Sequence, residues 1–177
     1  MVVRQTAIKD CFEIEISSIK DERGWFARTF CKETFDNLGI TETDFVQMNH
    51  SYTSEVGSIR GLHLQRPPYA EEKLIRCIVG AVFDVVVDCR KDSDSYLKWI
   101  GLELTSTNQK MLYVPKGCAH GFQTLLPNTE LIYMHTSPYS ADSELGFRFD
   151  DTALGIDWPL PPKSLSQRDL NHPLIQL

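Results

Sequence analysis

The chain has 177 residues, the size expected of one domain over 1–177 and enough to bury roughly 70% of the surface its unfolded form exposes. With 18 Lys and Arg against 24 Asp and Glu, the net charge is -6 and the pI about 5.3, which argues against nucleic acid as a partner, because such proteins cluster basic residues against phosphate. The five cysteines form no C-x-x-C pair, the N-terminus carries no apolar leader and no stretch of about 18 apolar residues occurs, so a cytoplasmic protein without a membrane span is expected.

Along the chain, one helix is expected over 32–38, closed by Gly39 as its C-terminal cap. From Ser58 onward, short apolar or alternating runs are separated by Gly, Pro, Asn and Asp at strand-like intervals: 58–65, 73–80, 81–88, 98–104, 111–115, 120–126 and 130–136. Seven strands without intervening helical periodicity predict an all-β sandwich or jelly-roll barrel. The period-two rule puts His63 and Gln65 on one face, Lys73 in line with Ile75 and Cys77, and Tyr133 in line with Leu131 and His135. Asp150, Asp151 and Gly155 suit a turn. A short strand near the N-terminus needs a sheet edge, which a second copy of the chain would supply.

Two strings stand out when these strands are read as a barrel. Gly57 followed after five residues by His63-Leu64-Gln65, and Pro115-Lys116-Gly117-Cys118-Ala119-His120, resemble the two half-motifs of the cupin superfamily. That likeness implies a cupin-type jelly-roll β-barrel with short peripheral helices. The metal ligands of that superfamily are altered: Gln65 replaces the second His, and Lys73 stands where a ligand Glu belongs, seven residues before Gly80. An ammonium repels a divalent cation and offers it no lone pair, so no metal is expected. Imidazole, ammonium and phenol suit proton abstraction beside a carbonyl, as base, enolate stabiliser and acid. The rival readings are a metal-dependent cupin using His63, Gln65 and His120, and a sugar-binding cupin without catalysis.

The chain further resembles the dTDP-4-dehydrorhamnose 3,5-epimerase family over nearly its whole length. The likeness is carried by Asp21-Glu22-Arg23-Gly24-Trp25-Phe26, Gln47-Met48-Asn49, Arg60-Gly61-Leu62-His63, Lys73-Leu74-Ile75-Arg76, Val82-Phe83-Asp84-Val85, Ala119-His120-Gly121-Phe122, Leu154-Gly155-Ile156-Asp157-Trp158-Pro159 and Leu165-Ser166-Gln167-Arg168-Asp169. The resemblance implies a homodimer that needs no cofactor and epimerises a dTDP-4-keto-6-deoxyhexose at carbon 3, carbon 5 or both. It implies His63 as base oriented by Asp169, Lys73 at the carbonyl oxygen and Tyr133 as acid, with Tyr139 the rival acid. His120 would line the sugar pocket. Arg23, Gln47, Asn49, Arg60, Glu144 and Arg168 would hold the nucleotide and diphosphate, arginine forks being suited to phosphate oxygens. Arg28 reverses a charge common in the family and is expected to bear on substrate preference. Lys73 also has a plainer reading as a solvated strand-end lysine beside Glu71 and Glu72, and His50, His135 and His172 are expected to be structural or exposed.

Overall fold

The computed structural model describes residues 1–175; the last two positions of the 1–177 span expected as one domain lie outside the described residues. Its strands are β1 (Val2–Gln5), β2 (Phe12–Glu15), β3 (Ser18–Asp21), β4 (Gly24–Ala27), β5 (Gln47–Thr53), β6 (Ile59–Gln65), β7 (Lys73–Val79), β8 (Ala81–Asp88), β9 (Trp99–Thr105), β10 (Lys110–Val114), β11 (Cys118–Thr124), β12 (Thr129–His135) and β13 (Glu144–Gly146). Each of the seven expected runs is a strand, β6 to β12. Two helices are short, α1 (Lys32–Asn37) and α2 (Gln167–Leu170). Gly39 caps α1 at φ +84, and the last turn closes through Gly39 N–H to Asp36 O and Ile40 N–H to Phe35 O, the Schellman pattern that glycine permits.

Two antiparallel sheets form the jelly roll, in the orders β1-β2-β10-β7-β12-β5 and β13-β6-β11-β8-β9. Ile75, Cys77, Leu112 and Leu131 of the first meet Val82, Val86, Leu104 and Phe122 of the second, all at most 2% exposed. Burying such side chains stabilises the fold by about 1.5–3 kcal/mol for each of the larger ones. On the outer faces, Phe35 of α1 packs with Ile14, Leu74 and Tyr113, while Leu154 and Trp158 cover Leu62, Leu64, Val85 and Val87. With Leu62, Leu64, Leu74 and Val85 facing out, strand alternation turns His63, Lys73, Asp84, His120, Tyr133 and His135 inward. The N-terminal strand finds its sheet edge within its own chain, β1 pairing with β2 from Val2↔Glu15 to Gln5↔Phe12, so it does not require a second copy. The β3–β4 hairpin is a separate two-stranded sheet.

Candidate active site

On a regular strand, residues three apart face opposite ways, yet Arg60 and His63 of β6 line one hollow of about 680 Å³. Gly61 makes this possible. It takes φ +118, and the β6–β11 register shifts between His120 and Phe122. A Cβ at Gly61 would lie 2.6 Å from Gly121 Cα, so the two strands approach only because both positions are glycine.

His63 Nε2 is 2.7 Å from Asp169 Oδ1. Asp169 sits in the first turn of α2, its N–H bonded to the Ser166 hydroxyl that caps the helix, and is 3% exposed. Asp151, buried in the turn expected at 150–155, ties the C-terminal segment down by accepting the Ile175 N–H at 2.6 Å. Burial by itself raises the Asp169 carboxyl, but the His63 hydrogen bond and charge, with Ser166 and Arg168, outweigh it and hold the group below the ordinary carboxylate range. An ionised carboxylate only accepts, so His63 donates from Nε2, and in the neutral ring Nδ1 keeps the lone pair.

A smaller hollow of about 170 Å³ shares His63 and adds Gln47, Asn49, Lys73, Tyr139 and Glu144. Lys73 is 7% exposed, not a solvated strand-end residue. Its ammonium donates to His63 O at 3.2 Å and lies 3.3 Å from Glu71 Oε1; with three donors on the group, one is left over. Behind the hollow, His120 Nε2 is 2.9 Å from Asp84 Oδ1. Asp84 is fully buried, which pushes its carboxyl above the usual range against the pull of His120 and Lys73. The Tyr133 ring packs 6.2 Å from His120 and its hydroxyl is 2.8 Å from Ser51 Oγ. Burial raises its phenol well above the ordinary value. Tyr139 is 55% exposed and donates to Glu144 Oε2 at 3.0 Å.

The family model described as dTDP-4-dehydrorhamnose 3,5-epimerase matches residues 5–176. The chain is 43% identical over 176 residues to the dTDP-4-dehydrorhamnose 3,5-epimerase of Salmonella typhimurium, covering 99% of this chain and 96% of that protein. The chain belongs to the dTDP-4-dehydrorhamnose 3,5-epimerase family. Among solved structures, it resembles the Bacillus anthracis dTDP-4-dehydrorhamnose 3,5-epimerase with TDP and PPi bound, at TM-score 0.95 and 42% identity over 98% of this chain and 99% of that one. It also resembles the dTDP-6-deoxy-D-glucose-3,5-epimerase of Legionella pneumophila in complex with dTDP-4-keto-L-rhamnose, at TM-score 0.92 and 36% identity over 98% and 92% of the two chains.

Not every residue expected at the epimerase site gathers there. His63, Lys73, Gln47, Asn49 and Glu144 share the smaller hollow, and Arg60, Arg168 and Asp169 share the larger one with His63. Arg168 donates to Glu144 Oε2 at 3.0 Å. Arg23 stands apart at the tip of the β3–β4 hairpin, its guanidinium 2.6 Å from Asp21 Oδ2. Arg28 lines a different hollow, with Met1, Ile19 and Phe26. Neither is among the residues lining the two hollows that hold His63, and the hairpin pairs with neither main sheet.

Conversely, the structure brings in groups that had no motif. His172, expected to be structural or exposed, packs edge-on to His63 at 5.3 Å, its Nε2 buried, 3.6 Å from Asp169 Oδ1 and without a hydrogen-bond partner among the described residues. Burial, then the nearby His63, pushes its imidazole below the ordinary value. Gly146 makes the seat, since a Cβ there would meet the His172 ring at 2.2 Å. His135 is 9% exposed and joins the Lys73 cluster through Glu71, whereas His50 is exposed and bonded to Glu130.

The donor set does not suit a metal of the cupin kind. Gln65 Oε1 accepts the Ser140 N–H at 2.6 Å, and the Lys73 ammonium stands in the same hollow. His63, Asp169 and His172 hold donor atoms within 4.8 Å of one another. However, 2.7 Å between His63 and Asp169 is a hydrogen-bond length, shorter than the roughly 3.3 Å between two ligands of one tetrahedral zinc. A further hollow of about 620 Å³ lies outside the barrel, lined by Leu64, Leu97, Leu145 and Phe147, with cations but none of the expected acid–base groups. Among the described residues, no helix is long and apolar enough to cross a membrane.

Proposed function

We propose that the chain epimerises a dTDP-4-keto-6-deoxyhexose at carbons 3 and 5, without metal or nicotinamide. The observation that carries this reading is the His63–Asp169 hydrogen bond of 2.7 Å opening on the hollow that holds the buried Lys73 ammonium. Nδ1 of His63 takes the proton beside the ketone, and Asp169 stabilises the imidazolium that forms. The free donor of Lys73 meets the oxygen on which enolate charge develops. Tyr133 returns a proton to the opposite face, a role that its place on the inner face of β12 supports. His120, oriented by Asp84, completes the wall of the sugar pocket. Arg60 and Arg168 take the diphosphate in the larger hollow, and Gln47, Asn49 and Glu144 flank the sugar. No electrons leave the substrate, so the chemistry itself asks for no redox cofactor.

We further propose a homodimer in the cytoplasm. Ile19, Trp25 and Phe26 of the hairpin are 50–73% exposed, and Met48 and Tyr52 stand out from the edge strand β5. A second copy covering these patches would also return Arg23 and Arg28 to the neighbourhood of a site. Five free cysteines suit a reducing compartment.

The test is solvent exchange. The protein is incubated with dTDP-4-keto-6-deoxy-D-glucose in deuterium oxide, and label is followed by NMR. Deuterium at carbons 3 and 5 is expected; label at one carbon narrows the activity to that centre, and none at either removes the reading.

A further inference from the structure

A hydrogen-bond chain runs along the smaller hollow, and its direction can be read from both ends. At one end, the Tyr139 backbone N–H, which can only donate, reaches Gln47 Oε1 at 2.9 Å. That fixes the Gln47 amide, whose Nε2 donates to Asn49 Oδ1 at 3.1 Å. It fixes Asn49 in turn, whose Nδ2 lies 3.2 Å from His135 Nε2. An amide NH2 has no lone pair to offer, so His135 Nε2 accepts and the ring proton sits on Nδ1. At the other end, Nδ1 is 3.2 Å from Glu71 Oε2, a carboxylate that can only accept. Glu71 Oε2 also receives Gln65 Nε2 at 3.0 Å, and Oε1 faces Lys73 Nζ at 3.3 Å. Both ends therefore demand the same polarity.

We infer that His135 is a positioning residue for substrate binding: as the neutral Nδ1–H tautomer, it holds the amides of Asn49 and Gln47 with their remaining N–H groups free for acceptor oxygens of the nucleotide sugar. This deepens the reading above and rests on it. A protonated His135 has no acceptor at Nε2, so Asn49 must turn its Oδ1 to the ring. Gln47 must then turn as well, which strips the Tyr139 N–H of its acceptor. Loss of that one lone pair thus reverses two recognition groups at once. The titratable groups that face His135 across the hollow are Glu71, Lys73, His63, Tyr139 and Glu144, with Tyr133 on its own strand at 6.4 Å between rings.

Glutamine at this position keeps one donor and one acceptor but cannot titrate; leucine keeps neither. We expect His135→Leu to raise KM about tenfold with kcat within about twofold, and His135→Gln to return KM to within about threefold of wild type. A leucine variant that binds like wild type, or a glutamine variant that binds no better than leucine, overturns the inference. Long-range nitrogen–proton NMR of histidine-labelled wild type reads the tautomer without any variant, and an Nε2–H tautomer at His135 is equally decisive against it. If wild type does not turn over the 4-keto sugar, the proposed function has failed; if it does and KM behaves otherwise, only the role of His135 has.

Discussion

His63 and Asp169 lie 106 residues apart in the chain and 2.7 Å apart in the fold. The first is on a barrel strand, the second on a four-residue helix near the C-terminus whose cap and tether, Ser166 and Asp151, hold the carboxylate against the strand. Asp169→Asn keeps the shape but offers the imidazole no counter-charge. We expect kcat to fall by about 10²–10³ with KM changed less than about threefold, and His63→Ala to abolish exchange at both carbons. An Asp169→Asn enzyme with wild-type kcat in the NMR assay would contradict the dyad.

The two tyrosines separate in a paired experiment. Tyr133 is buried beside His120, whereas Tyr139 is exposed and bonded to Glu144. Tyr133→Phe should slow net epimerisation by about 10² or more while deuterium still enters through His63, and Tyr139→Phe should stay within about threefold of wild type. Product formation and label uptake, measured on the same samples, distinguish them. The reverse pattern would give Tyr139 the role of acid.

Gly61 lets Arg60 and His63 face one hollow. Gly61→Ala places a methyl group 2.6 Å from Gly121 Cα and 2.8 Å from His120 O at φ +118, contacts with backbone rather than with a flexible side chain. A loss of about 3 kcal/mol or more is expected, read as a fall in urea midpoint. Unchanged stability would mean that the strands do not approach as described.

Asp88 predicts an acid-sensitive fold. Its buried carboxylate accepts from Arg90 Nε and Nη2 at 2.8 Å and from the Ser93 and Ser95 hydroxyls at 2.6 Å. Burial raises the group, but these partners outweigh it and depress the carboxyl far below the usual range. A depressed carboxyl stabilises the fold fully above its unfolded value of about 3.9 and loses that contribution as pH falls further. Asp88→Asn should cost about 3 kcal/mol near neutral pH and flatten the stability curve below about pH 4. Denaturation at graded pH measures both; parallel curves for the two proteins would refute the assignment.

Much of the architecture was legible because it follows from local rules. Alternation placed His63 with Gln65 and Tyr133 with Leu131 and His135, and Gly39 marked the end of α1 because only a left-handed residue closes that turn. Asp84 had a visible signal as an acid in the middle of the apolar run of β8, but nothing local said that it would meet His120. Strings shared with the epimerase family pointed to His63, Lys73 and Asp169, whereas Glu71, His135 and His172 belong to no such string.

The sequence by itself determined the strand pattern, the replacement of metal ligands by Gln65 and Lys73, and the set of acid–base groups, since these depend on residue type and short-range spacing. Only the tertiary structure decided that His172 packs edge-on to His63, that Glu71 and His135 meet in the hollow, and that Arg23 and Arg28 do not line it. The reason is physical. Hydrogen bonds of about 3 Å act between atoms, and which distant atoms come that close is set by how two sheets pack, not by any segment alone.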